Sequence, residues 1–132
     1  MRIPAERKRL ESIREFIQAQ AALAGPTQHQ IDDLIQAVDE AATNIIVHGY
    51  QDGPGMIEVE FERLDRMLRV TLRDQAPTFD PDNAPVPDLN LPLQERPVGG
   101  LGIFLIRKCV DELIHRVPAG GGNELILVKR LD

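Results

Sequence analysis

No apolar run in this chain approaches the roughly 20 residues that a helix needs to span a bilayer. The N-terminus shows no charged stretch leading into an apolar one, so no secretion signal is visible. A single cysteine, Cys109, excludes an internal disulfide. Together these absences predict a protein of the reducing cytoplasm, without a membrane partner. Positive charge is also in short supply. With 15 Lys and Arg against 21 Asp and Glu, the net charge is −6. That deficit argues against a nucleic-acid backbone or an anionic membrane as partner. His29, His48 and His115 lie far apart with no ligand spacing, which predicts no metal site built from them. No internal repeat is present.

What remains is ordinary for a globular chain. Its 132 residues are 42% hydrophobic and 27% charged, and the length predicts one domain over 1–132 with a single core. Leu10, Ile13, Ile17 and Ala21 recur at helical spacing, predicting a first helix from about Glu6 to Ala24. Gly25-Pro26 breaks it, and Thr27 can cap the next. Ile31, Leu34, Ile35, Val38, Ala42, Ile45 and Ile46 stripe a second helix that runs to about His48. Gln51 to Gly55 is turn chemistry.

The period then changes from helical to alternating. Ile57, Val59 and Phe61 alternate with Glu58, Glu60 and Glu62, and Leu68, Val70 and Leu72 alternate with Arg69, Thr71 and Arg73. A short link at Leu64-Asp65-Arg66 makes the pair an antiparallel hairpin. One face is apolar and the other charged, so helices should cover one side, and Glu should meet Arg across the strands on the other. From Ala76 to Pro97 both patterns fail; six of the ten prolines fall there. Helical spacing resumes from Leu101 to about Ile114, with Cys109 as an apolar filler, and Leu125 to Val128 is a final strand. Met1-Arg2-Ile3 reads as an edge strand. The order is helix, helix, strand, strand, loop, helix, short strand, strand. The predicted fold class is α+β, a two-layer sandwich of a mixed or antiparallel sheet with helices on one face.

Three segments carry candidate chemistry. Glu40 and Asn44 are one helical turn apart on one face. A carboxylate there can accept a proton, and an amide oxygen is a hard ligand suited to Mg²⁺. Alone, the pair would be an ordinary solvated face. Asp74 closes a predicted strand, where a buried carboxylate can accept from an exocyclic amine; alone, it would be a turn initiator. Gly99-Gly100-Leu101-Gly102 opens the third helix, whose first backbone N–H groups can hold an anion. It is neither a Walker A loop, lacking the following Lys-Ser/Thr, nor a Rossmann fingerprint.

In this order the motifs Glu40-x-x-x-Asn44, Asp74-x-Ala76 with Phe79-Asp80-Pro81, and Gly100-Leu101-Gly102-Ile103 resemble the N, G1 and G2 boxes of the GHKL (Bergerat-fold) ATPases. The branch most similar is that of the small bacterial anti-sigma-factor serine/threonine kinases, which share Glu-Ala-x-x-Asn-x-x-x-His ahead of Tyr50 and Gly-Leu-Gly-Ile-x-Leu-Ile-Arg-Lys ahead of Asp111-Glu112. The resemblance runs over nearly the whole chain from about Ile3.

It implies a Bergerat-type sandwich with a Pro-rich ATP lid, and ATP and Mg²⁺ as cofactors. Glu40 would be the general base, Asn44 would coordinate the metal, and Asp74 and Ala76 would meet the adenine. Gly100, Leu101, Gly102 and Ile103 would hold the phosphates. Arg96, the lid's one cation, is our candidate for neutralising the terminal phosphate. The implied partners are a sigma factor and a STAS-type anti-anti-sigma protein, the substrate. Relatives are commonly dimers, so a homodimer is among the expectations. Two residues depart from the pattern. Ala76 replaces the usual Gly, although Pro77 favours an extended, negative-φ backbone that alanine tolerates. Val47 replaces a frequent basic residue. These departures motivate an alternative, a non-catalytic module that binds partners under nucleotide control.

Overall fold

The computed structural model describes residues 1–78 and 100–131. Strand β1 (Arg2–Pro4) leads through a 3₁₀ turn (Arg7–Arg9) into helix α1 (Leu10–Ala22) and helix α2 (Gln28–Asn44). Strands β2 (Met56–Leu64) and β3 (Met67–Asp74) follow, then helix α3 (Gly100–Cys109) and strands β4 (Glu112–Arg116) and β5 (Asn123–Arg130). The five strands form one sheet in the order β1-β2-β3-β5-β4, and every pairing is antiparallel. The predicted Pro-rich lid beyond residue 78, Arg96 included, lies outside the described residues.

Local chemistry explains most boundaries. Thr27 caps α2 in a reciprocal box: its hydroxyl accepts from the Gln30 N–H while the Gln30 side chain accepts from the Thr27 N–H. The β2–β3 turn is only Asp65-Arg66, with Asp65 in the left-handed region at φ 53°. Met1-Arg2-Ile3 does form the sheet edge, where Ile3 pairs with Ile57.

Helix α3 ends at Cys109, earlier than its spacing predicts. Val110 and Leu113 sit at helical spacing, but β5 offers Glu112–Arg116 a full strand partner, with Ile114 opposite Ile126. The Asp111 N–H donates to the Val128 carbonyl, and the Asp111 carboxylate accepts from the Arg130 N–H. Tertiary pairing thus overrides a short local periodicity.

All three helices pack on one face of the sheet. Ile13 and Ile17 from α1, Leu34, Val38 and Ala42 from α2, and Ile103 and Ile106 from α3 meet Val59, Val70, Leu72 and Leu127 in one core. Cys109 is a free, buried member of that core, and burial pushes its thiol up. The other face carries the expected charge pairs. Arg73 reaches Glu60 and Glu124, each at 2.8 Å, and Arg69 reaches Glu62 at 3.1 Å. Being partly exposed, each pair contributes at most about 1 kcal/mol.

Candidate functional site

The second helix does not stop at Asn44. It widens into a π-helical turn, Ile45–Gly49, closed by the Tyr50 N–H donating to the Ile45 carbonyl at 2.8 Å. Glu40 and Asn44 therefore stand on the last α-helical turns before a change of helical pitch. Both are half-buried. Neither side chain makes a hydrogen bond or ion pair with any described residue, and that leaves both uncommitted for a ligand. Partial burial, reinforced by the adjacent Asp39 charge, pushes the Glu40 carboxyl above its usual range.

Helix α3 runs antiparallel to α2. Lys129 fixes this direction: its ammonium donates to Asp33 at 3.0 Å and to the Cys109 carbonyl at 2.9 Å. This ties an early turn of α2 to the last residue of α3. From there α2 climbs about 16 Å to Asn44, while α3, packed along it, runs back about 14 Å to Gly100. Gly100, Leu101 and Gly102 thus form the α3 opening turn at the Asn44 end of the pair. Ile103, next along, is buried in the core and anchors that turn.

The end of β3 is drawn to the same region. Tyr50 accepts from the Gln75 N–H at 2.7 Å and donates to the Met56 carbonyl at 2.9 Å. Gly49 faces the Ala76 methyl so closely that no side chain fits on residue 49. Ala76 is buried and keeps a negative φ, as Pro77 predicts. Its methyl is accommodated against Gly49. Val47 is half-buried against the core, and His48 is exposed.

Asp74 is 5% exposed, so its neighbours decide its behaviour. Its Oδ1 accepts from the Ala76 N–H at 2.9 Å and from Asn123 Nδ2 at 3.0 Å. Its Oδ2 accepts nothing from the described residues. Burial pushes the carboxyl up, while the Asn123 and Ala76 hydrogen bonds and the His115 charge pull it down. No group of three His, Cys, Asp or Glu side chains among the described residues could hold a metal. A metal held by one amide oxygen and substrate phosphates would need no such group, and the uncommitted Asn44 amide fits that part.

Residues 3–129 match the model of the histidine kinase-like ATPase domain family. The chain belongs to this family. As a histidine kinase-like ATPase domain, it is 31% identical over 118 residues to serine-protein kinase RsbW of Bacillus cereus (strain ATCC 10987 / NRS 248), covering 86% of this chain and 73% of that protein. It is 32% identical over 119 residues to serine-protein kinase RsbW of Staphylococcus aureus (strain MSSA476), covering 86% and 75%. The fold also matches the crystal structure of the RsbU and RsbW domains of Rv1364c from Mycobacterium tuberculosis, with TM-score 0.65 and 18% identity. That match covers 99% of this chain and 31% of the longer one. At that identity it shows the fold alone.

The sequence patterns single out neither Asn123 nor Gly49, and they name His115 only among histidines that lack ligand spacing. One signal for Asn123 was present. Asparagine is disfavoured in strands, and this one opens a run of Leu, Ile and Val.

Proposed function

We propose that this chain is an ATP-dependent protein serine/threonine kinase that acts as an anti-sigma factor and phosphorylates a STAS-type anti-anti-sigma protein. One observation carries the reading. The Glu40 and Asn44 side chains, uncommitted among the described residues, share a face of α2 at the end where α3 opens. Similarity to the RsbW serine-protein kinases supports the class of reaction.

Each residue has a part. Glu40 takes the proton from the attacking serine or threonine hydroxyl, a task suited to a carboxylate whose proton affinity is raised. Asn44 presents its amide oxygen to Mg²⁺. The metal, when bound, supplies charge neutralisation at the phosphates. Backbone N–H groups of Gly100, Leu101, Gly102 and Ile103 meet the phosphate oxygens at the positive end of the α3 dipole. Asp74 Oδ2 accepts from the adenine amine. Arg96 adds positive charge near the terminal phosphate. Phosphoryl transfer asks for little beyond this positioning and charge stabilisation.

The packing of Ala76 against Gly49 gives the extra methyl a place of its own and so removes one of the two departures that motivate the purely regulatory module. The test is incubation with labelled ATP, Mg²⁺ and a candidate STAS-domain protein. Label should pass to the partner with the wild-type chain and not with Glu40→Ala, which should still bind nucleotide. Unchanged transfer by Glu40→Ala would remove the assigned base. A thermal-shift titration with ATP, ADP and GTP, with and without Mg²⁺, tests the nucleotide assignment separately.

A further inference from the structure

We infer that His115 and Asn123 are positioning residues that hold the base-reading carboxylate of Asp74 and thereby set selectivity for adenine over guanine nucleotides. The inference rests on the reading of Asp74 given above.

Register brings the three together. Asp74 pairs directly with Asn123 across β3 and β5, and His115 pairs with Leu125 across β4 and β5. Asn123 and Leu125 are two apart on β5, so they point to the same face, and His115 is the diagonal neighbour of Asn123 there. Gly122 permits the approach. It has φ +79°, and a Cβ on it would lie 2.1 Å from the Asp74 carbonyl oxygen.

The hydrogen bonds have one sense only. Asn123 is 2% exposed. Among the described residues its Nδ2 faces three acceptors: Asp74 Oδ1 at 3.0 Å, the Pro77 carbonyl at 3.2 Å and the Ala76 carbonyl at 3.3 Å. Reversing the amide would point its oxygen at three acceptors, so the NH₂ group must face Asp74. The amide oxygen then faces His115 Nε2 at 2.8 Å. An oxygen there can only accept, so Nε2 must carry the proton. His115 therefore fixes Asn123, and Asn123 fixes Asp74.

The consequence falls on the other carboxylate oxygen. Oδ1 is held by Asn123 and by the Ala76 N–H, and that sets the plane of the carboxylate and the direction of Oδ2. No buried side-chain nitrogen or oxygen among the described residues lacks a partner, which leaves Oδ2 facing accessible space. An amine donor such as that of adenine matches an acceptor aimed in this way. Guanine presents a carbonyl at the same ring position and meets a like partial charge. If the carboxylate can turn, that discrimination weakens. A buried asparagine is otherwise costly in a Leu- and Val-rich strand.

The test measures dissociation constants for ATP and GTP by calorimetry on the full chain, with folding checked by circular dichroism. The variants are Asp74→Asn, His115→Phe, His115→Gln and Asn123→Ala. His115→Phe and Asn123→Ala should each weaken ATP about tenfold, the size of one charge-linked hydrogen bond, and lower the ATP-to-GTP ratio. His115→Gln carries an N–H near the Nε2 position and should restore both. In turnover assays the effect should fall on KM for ATP, with kcat kept. If Asn123→Ala does not fold, the His115 pair decides the matter. An unchanged ATP-to-GTP ratio in folded His115→Phe, while Asp74→Asn loses ATP, overturns this inference alone. Equal ATP binding by wild type and Asp74→Asn overturns the reading of Asp74 and this inference with it.

Discussion

Gly49 and Ala76 are a matched pair: a Cβ built on Gly49 would lie 2.9 Å from the Ala76 Cβ. One residue closes the π-helical turn after Asn44, and the other follows the strand that ends in Asp74. Their contact joins the Asn44 end of the candidate site to its Asp74 end. Alanine at position 76 is tolerated because position 49 has no side chain. Gly49→Ala should therefore overpack the junction and cost about 1–3 kcal/mol, read as a lower urea midpoint. Adding Ala76→Gly should recover part of that loss. A double-mutant cycle with no coupling between the two would sink the pairing.

Glu40 should weaken the fold at neutral pH while serving catalysis. Its carboxyl is raised by burial and by Asp39, so the folded state resists its ionisation. Such a group costs nothing below the unfolded pKa, where it is protonated in both states, and its penalty is complete above the raised folded one. Glu40→Gln should therefore raise Tm near pH 7.5, with the gain fading as pH falls below the ordinary glutamate range. Phosphotransfer should be lost over the whole range. Melting curves at several pH values check the first part, and a gain that grows toward acid would contradict it.

Asn44→Ala should abolish the Mg²⁺-dependent part of ATP binding and leave the fold intact. The side chain makes no hydrogen bond with any described residue, so its removal leaves none of them unpaired. Thermal shift with ATP, with and without Mg²⁺, separates the two effects. A metal-dependent shift equal to wild type would move the metal elsewhere.

Tyr50→Phe removes a hydroxyl that accepts from the Gln75 N–H and donates to the Met56 carbonyl. The expected stability loss is about 1–3 kcal/mol for two backbone groups losing a partner. ATP affinity should fall as well, because Gln75 lies between Asp74 and Ala76. Amide hydrogen exchange at Gln75 should rise in the variant, and unchanged protection there would count against the link.

Much of this molecule is readable along the chain. The helical stripes of α1 and α2, the Thr27 cap and the Glu/Arg alternation of the hairpin are local patterns, and local patterns survive folding. The N-box spacing is legible for the same reason, since Glu40 and Asn44 lie within one helix. The end of α3 is not, because Glu112 to Ile114, which continue the helical spacing, also fit a strand once β5 is beside them. His115 and Asn123, the latter unusual only as a strand asparagine, show no joint role until register sets them on one face.

From its residues alone, this chain was bound to be an α+β domain with one apolar sheet face, and its ordered motifs marked it as a nucleotide-binding relative of the histidine kinase-like ATPases. Tertiary structure decided which side chains share a partner: Gly49 with Ala76, Tyr50 with Gln75, and His115 with Asn123 and Asp74. The reason lies in range. Periodicity and capping act over one or two turns of chain, whereas these contacts join residues that only the completed sheet and its packed helices bring within hydrogen-bonding or van der Waals distance.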